Sequence, residues 1–256
     1  MELKVLGCHG GETPRHRTSA FLLDDVLAID AGALTRTLDL PEQFALEACV
    51  ISHAHLDHVR DLATVSDNRC QAGCAPLVVA ATAGTLQALG DHFFNDRLWP
   101  DFRRIPSPDH PTVRFVELEP ERPIELSGFE IRAVLVNHTV ESSGFVVRAA
   151  DGSSLAYSGD TGPTERLWQI LNAERDLRAL LMEVSYPNAE QDLATISGHH
   201  TPKTLVEDLR KLRGADHLPT LLYHLKPAHQ AAIERECAAL SDVNLTVLNL
   251  GDQFVL

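Results

Sequence analysis

Four side chains able to bind a metal ion lie within six positions, His53-Ala54-His55-Leu56-Asp57-His58. Imidazoles and a carboxylate crowded together in a core need partners to offset their desolvation, and a metal ion supplies them. His53 and His55, two apart, can face the same way on an extended backbone. Asp57 and His58 are adjacent, so they diverge and can serve a second ion beside the first. The plain alternative is a set of exposed polar residues on a loop. Against it stand three further ligand-type residues, His138, Asp160 and His224, each placed where a predicted strand stops. Singly, such a residue reads equally well as a turn or a satisfied polar group; together with the six-residue cluster they point to one assembled centre.

The elements that must position these residues follow from periodicity. Residues 2–6, about 18–23 and about 26–30 predict short strands, with Asp24-Asp25 turning between the last two and Asp30-Ala31-Gly32 ending the set as a turn. The apolar run Cys49-Val50-Ile51-Ser52 predicts the buried strand that delivers His53. A helix begins near Leu62 to Val65, Leu77 to Ala80 is another strand, and Thr82 predicts the cap of a helix over about 83–94. Residues 91–111 carry Phe93, Phe94, Trp99 and Phe102 among four prolines, which predicts a lid or insertion. Alternation over Phe129 to Val136 predicts the strand before His138, and Asp151-Gly152 predicts a hairpin whose second strand runs into Asp160. Ala179 to Val184 and Thr220 to Tyr223 predict buried strands. Helices follow from Thr201-Pro202 and from Pro227 to about Leu240, with a last strand from Val243 to Leu248. The order is strands then helices, twice over. It predicts an α+β fold, an αββα sandwich in which two mixed β-sheets pack face to face with helices on both outer faces.

Composition sets outer bounds. With 256 residues and 44% hydrophobic content the chain can bury a large core, and no Gly-, Ser- or Pro-rich linker divides it, which predicts one domain over 1–256. The start, Met1-Glu2-Leu3-Lys4-Val5-Leu6-Gly7, enters an apolar alternation without a basic region or cleavage site, and no stretch reaches membrane-spanning length; the expectation is a cytoplasmic protein with no membrane partner. Five scattered cysteines suit reduced thiols, and Cys70 and Cys74, though close, have no second pair to complete a metal site. A net charge of −14 argues against a broad footprint for long nucleic acid, whereas a small anionic substrate remains compatible because a pair of dications reverses the local field.

The cluster together with Asn137-His138, Gly159-Asp160-Thr161 and Tyr223-His224 resembles the metallo-β-lactamase fold superfamily over nearly the whole chain. That resemblance implies that His53, His55 and His138 hold one metal ion and Asp57, His58 and His224 the other, with Asp160 bridging. The ions it implies are two divalent cations, zinc first, with manganese, iron or magnesium as alternatives. Two ions about 4 Å apart give a bridging hydroxide at neutral pH and a clamp for a transferring phosphoryl group. Ligation requires neutral imidazole and ionised carboxylate, so affinity should fall in acid.

Finer blocks narrow the resemblance to the class II 3′,5′-cyclic-nucleotide phosphodiesterases. They are His55-Leu56-Asp57-His58-Val59 with Leu62 and Ser66, Phe94-Asn95 with Leu98-Trp99-Pro100-Asp101-Phe102, Glu183-Val184-Ser185-Tyr186-Pro187-Asn188, and Gly198-His199-His200-Thr201-Pro202. Two positions depart from that pattern: Asp61 stands where a small residue, commonly Gly, is expected, and His200 where an apolar residue follows the family's histidine. The implied activity is hydrolysis of cAMP or cGMP to a 5′-nucleotide by metal-bound hydroxide attack on phosphorus. On this reading the catalytic residues are His199, which assists the departing 3′-oxygen just before a helix N-terminus, and Asp57. Either His199 or the adjacent His200 fits that role by spacing. His200, Asn95 and Trp99 are candidate substrate contacts, the last because an aromatic face stacks on a base. Glu183 is the candidate for orienting a ligand imidazole. Lys226 could reach a phosphate or lie on the solvated surface. The partner expected is a small anionic nucleotide, and the family resemblance allows a homodimer. Two other readings stay open: a tRNA 3′-processing endonuclease-like phosphodiesterase, which shares the seven ligands but needs a basic arm not found here, and a metalloprotein that binds a nucleotide without cleaving it.

Overall fold

A computed structural model describes residues 1–256. Two seven-stranded sheets lie face to face. The first runs, edge to edge, Gln253–Val255, Glu2–Gly7, Ala20–Leu23, Leu27–Ile29, Ala48–Val50, Leu77–Ala81 and Val113–Glu117. The second runs Leu245–Val247, Thr220–Tyr223, Leu177–Glu183, Ser154–Tyr157, Ser142–Arg148, Phe129–Val136 and Ile124–Leu126. Each is antiparallel on one side and parallel on the other, so both are mixed, as expected.

Three apolar layers hold the sandwich together, and strand alternation assigns the residues to them. Leu3, Val5, Phe21, Leu23 and Val50 of the first sheet meet Ile131, Phe145, Tyr157, Leu181 and Tyr223 of the second in the central layer. The alternate residues face outward. Leu22, Cys49, Ile51 and Val79 pack under the helix Leu62–Ala72 through Leu62 and Val65. Leu180, Met182 and Leu222 pack under Arg166–Leu171, Pro202–Leu209 and Gln230–Ala238 through Leu167, Leu205 and Ile233. Burying a Leu, Ile or Phe contributes about 1.5–3 kcal/mol each, so the layers outweigh any single polar contact.

Local chemistry refines the predicted elements. Thr201 caps its helix in a reciprocal box with Thr204, each side chain accepting the other's backbone N–H, and Pro202 opens the first turn. Thr82 precedes the helix Ala83–Ala88, but its hydroxyl donates to Glu141 Oε1 at 2.6 Å in place of capping. That same carboxylate accepts the N–H of Gly84 at 3.0 Å, so the cap comes from a residue 57 positions away. The helix then widens into a five-residue turn, Leu89–Phe93, closed by the Phe94 N–H on Leu89 O.

The region 91–111 is not a free lid over the site. Phe93, Phe94 and Phe102 are buried in the outer layer of the first sheet, and the Trp99 indole N–H donates to Ala63 O at 3.0 Å. Asp101 anchors the segment by accepting from Arg103 and Arg104. The three Phe rings, spent on the core, are therefore closed to a substrate base. Sequence reasoning also missed the helix Leu40–Ala45 and the edge strands Val113–Glu117, Ile124–Leu126 and Gln253–Val255. For the helix a signal existed: Asp39 and Glu42 form a capping box around Pro41. No helix of the chain is long and apolar enough to cross a membrane.

Candidate metal centre

His53, His138, Asp160, Glu183 and His224 all lie at or just past the C-terminal ends of strands, and those ends share one edge of the sandwich. His55 sits at the start of a single helical turn, Leu56–Val59, which turns Asp57 and His58 to different sides. The seven residues that the spacing singled out converge. His53 Nε2 lies 3.0 Å from His55 Nδ1, which lies 3.4 Å from His138 Nε2. His224 Nε2 lies 3.4 Å from Asp57 Oδ2. Asp160 Oδ2 sits between the two groups, 3.7 Å from His53 Nε2, 3.3 Å from His58 Nε2 and 3.2 Å from His224 Nε2.

Whether these residues fit a metal ion is a question of donor spacing and of unmet polar atoms. Nitrogen and oxygen donors about 2.1 Å from one ion at tetrahedral angles stand roughly 3.4 Å from each other. The observed separations, 3.0–3.7 Å, bracket that edge. His58 Nε2 and Asp160 Oδ1 are buried without a hydrogen-bond partner, and such atoms cost about 1–3 kcal/mol each if left so. Donor atoms gather within 4.8 Å in overlapping groups: His53, His55 and His138; His53, His58 and Asp160; Asp57, His58 and His224. The set has two lobes sharing Asp160, and it fits divalent ions. No cysteine joins any of these groups; all five are free thiols, Cys70 and Cys74 included.

A layer of residues behind the donors fixes their rings, and sequence reasoning missed most of it. Asp30, read as a turn residue, is fully buried and adopts φ 58° at the end of its strand. Its Oδ1 accepts the Ser52 N–H at 2.8 Å, and its Oδ2 accepts the Ser52 hydroxyl at 2.8 Å and the Tyr157 hydroxyl at 2.6 Å. The same Oδ2 lies 2.7 Å from His58 Nδ1, which aims Nε2 at Asp160. Burial, reinforced by the charge of Asp30, drives the Tyr157 hydroxyl well above its ordinary range and keeps it a donor. The signal available was a carboxylate directly after an apolar strand, which here is a support and not only a turn. Asp61, where a small residue was expected, closes the loop by accepting the N–H and hydroxyl of Thr35, at 2.8 and 2.7 Å.

Glu183 does the same work on the other lobe. Oε1 lies 2.8 Å from His199 Nδ1 and accepts the Thr161 N–H, while Oε2 accepts the Ser185 hydroxyl at 3.0 Å. Ser185 Oγ in turn lies 2.8 Å from His224 Nδ1. Burial, then the charge of Asp160, raises the Glu183 carboxyl to about 7. Burial also lowers His53, His138, His199 and His224, favouring the neutral imidazole that ligation needs. His58 runs the other way: burial opposes its charge, but Asp160 and Asp30 outweigh it and hold it well above the ordinary value. For Asp57 burial pushes up most, but the hydrogen bond to His224 and the charges of His58 and His224 together outweigh it and hold the carboxylate ionised.

His199 faces the donors, its ring centroid 5.0 Å from His138 and 5.2 Å from His224. His200 does not. It is fully buried and points into the following helix, Nδ1 3.2 Å from Thr204 Oγ1 and Nε2 3.7 Å from Asp208, which removes it as a substrate contact and as the leaving-group histidine. Asn95 is tied into its own turn, accepting the N–H groups of Arg97 and Leu98 and donating to Asp91 O. Its polar atoms hold that turn and are not directed at the histidines.

Comparison with known proteins supplies the family. Residues 21–222 match the model of the Beta-lactamase superfamily domain. A Yersinia pestis protein named "Probable 3′,5′-cyclic-nucleotide phosphodiesterase" is 26% identical over an alignment that covers 100% of this chain and 86% of that protein. An Aliivibrio fischeri 3′,5′-cyclic-nucleotide phosphodiesterase is 29% identical over 63% of this chain and 52% of its own. Among solved structures, unliganded yeast PDE1 superposes with a TM-score of 0.84 at 19% identity, covering 100% of this chain and 99% of that one. The short form of human tRNase Z gives 0.72 at 18%, covering 100% and 99%. At those identities the two structures speak for the fold alone, the αββα sandwich.

Proposed function

The chain belongs to the β-lactamase superfamily, and we propose on that basis that it is a metal-dependent phosphodiesterase hydrolysing 3′,5′-cyclic nucleotides, built as one domain over residues 1–256. The observation that carries the reading is the two-lobed donor set sharing Asp160, backed by two relatives named as cyclic-nucleotide phosphodiesterases. His53, His55 and His138 would hold one ion and Asp57, His58 and His224 the other, with Asp160 between them. Divalent ions, zinc foremost, would supply a water acidic enough to ionise near neutrality and positive charge beside the phosphoryl oxygens.

The remaining roles belong to the chain's own side chains. Glu183 fixes the His199 ring through Nδ1 in a group with His138 and Asp160; in its protonated form, which burial opposes and the charges of Asp160 and Asp57 favour, His199 would give a departing oxygen its proton. Asp30 and Ser185 fix the rings of His58 and His224. Outer partners of this kind typically change metal affinity or activity by about 10–100-fold when removed.

A hydrolysis panel of cAMP, cGMP, a chromogenic phosphodiester and precursor tRNA, run with zinc, manganese and magnesium and with His55→Ala as control, tests the reading. Turnover of the chromogenic diester with cAMP and cGMP untouched would refute the cyclic-nucleotide substrate and keep the phosphodiesterase. Cleavage of precursor tRNA would transfer the assignment to tRNA processing, a reading the −14 charge disfavours.

A further inference from the structure

Beside His199 three polar side chains stand without partners. Tyr186, Lys226 and His229 are half-buried, and no side-chain hydrogen bond or ion pair engages the Tyr186 hydroxyl, the Lys226 ammonium or the His229 imidazole. They come from two neighbouring turns beyond the strands Leu177–Glu183 and Thr220–Tyr223. The Lys226 N–H meets Ser185 O at 3.4 Å, and the His229 N–H closes a turn on Lys226 O at 2.8 Å. The Tyr186 ring lies 5.9 Å from His199 and 5.9 Å from His229. In a protein of net charge −14, a half-buried ammonium without a carboxylate beside it is out of keeping with its surroundings. Lys226 follows His224 by two residues, and the Ser185 whose carbonyl accepts its N–H also lies 2.8 Å from His224 Nδ1 through its hydroxyl oxygen.

Three exposed aliphatic side chains lie close in sequence to the donors. Leu56, Val140 and Ile196 are 63%, 41% and 78% exposed. Leu56 lies between His55 and Asp57, Val140 two residues past His138, and Ile196 two before Gly198, which packs against His138.

We propose that Lys226 is the anchor for the anionic phosphate oxygens of the substrate, held beside His224 by the turn that bonds its N–H to Ser185 O. This rests on the reading of the centre as a phosphodiesterase site, but not on which diester is cut. Lys226 positions the phosphate and exchanges no proton with it, so it governs binding more than turnover.

The test is calorimetric titration of zinc-loaded wild type, Lys226→Met, Lys226→Arg and Tyr186→Phe with AMP, adenosine and inorganic phosphate. Loss of one charge-assisted contact corresponds to roughly ten- to hundredfold weaker binding. Lys226→Met should weaken AMP and phosphate by that factor, leave adenosine unchanged, and raise KM for a diester with kcat within about threefold. Lys226→Arg should restore most of the loss, and metal content should stay at the wild-type level in all variants. AMP and phosphate bound as tightly by Lys226→Met as by wild type would overturn the proposal. So would an equal loss for adenosine, or a loss confined to Tyr186→Phe. Failure of wild type to cut any cyclic nucleotide would refute the substrate assignment while the phosphate titrations still decide the anchor.

Discussion

Asp30→Asn puts the support of the centre to a quantitative test. Asn tolerates positive φ better than most residues, so the 58° backbone adds little strain and the variant reports on the side chain. The carboxylate serves four donors, the Ser52 N–H, the Ser52 hydroxyl, the Tyr157 hydroxyl and His58 Nδ1. An amide has only one acceptor oxygen. Placed at the Oδ2 position it keeps three donors and sets its NH2 against the Ser52 N–H; flipped, it keeps one and opposes three. At about 1–3 kcal/mol for each buried donor left unmet, the better orientation still loses about 2–4 kcal/mol once the weaker, uncharged acceptor is included. For a chain of this size each kcal/mol moves Tm by about 2–4 °C, so the metal-free variant should melt about 5–15 °C lower. His58 loses the partner that aims it, and zinc affinity measured against a competing chelator should drop by about 10–100-fold. A metal-free Tm within 2 °C of wild type together with unchanged zinc affinity would refute the claim that Asp30 holds this lobe in place.

His55→Ala should lose bound metal by elemental analysis and phosphodiester turnover by at least about a hundredfold, because it removes the nitrogen shared by the His53 and His138 contacts. Gly198→Ala places a Cβ 3.0 Å from His138 Cα at φ 68°, so a cost of about 1–2 kcal/mol in urea unfolding and a displaced His138 should lower metal occupancy. Burial lowers His9 to about 4, so between pH 6.5 and 4 the unfolded chain takes up its proton first. Stability from this residue is therefore complete above 6.5 and lost as pH falls, and a His9→Gln variant should show a shallower decline over that range in denaturant titrations. Burial pushes Cys8 and Cys237 to about 12 and Cys49 well above its ordinary value. A thiol reagent at pH 8 should modify only the half-buried Cys70 and Cys74 in the native protein, and all five after unfolding.

The candidate donors could be picked out because strand ends and spacing are local properties. His53 and His55 alternate on extended backbone, and His138, Asp160 and His224 each follow an apolar run, so their types and places were readable before any fold was known. What holds them was not. Asp30 looks like a turn former because that is what an Asp before Ala-Gly does locally; only the second sheet, bringing Tyr157 across, makes it a support. His199 and His200 could not be separated by spacing, since the reversal at Gly198, in the left-handed region, decides which ring faces the donors and which enters the next helix. Residues 91–111 read as a lid or an insertion because prolines and aromatics suggest irregular surface; the packing of Phe93, Phe94 and Phe102 into the outer layer of the first sheet is what spacing could not show. Glu141 capping a helix 57 positions earlier is long-range and leaves no periodic trace.

The donor set is divided between the two halves of the sandwich. His53, His55, Asp57 and His58 follow a strand of the first sheet, and His138, Asp160 and His224 follow strands of the second. The Ser143 N–H on Ser52 O and the His224 N–H on Cys8 O stitch the same seam. Ions seated there would act as rivets between two plates, so loading them should tighten amides along the seam far more than those at the distant hairpin tips. Hydrogen exchange would then map where the plates part when the rivets are drawn.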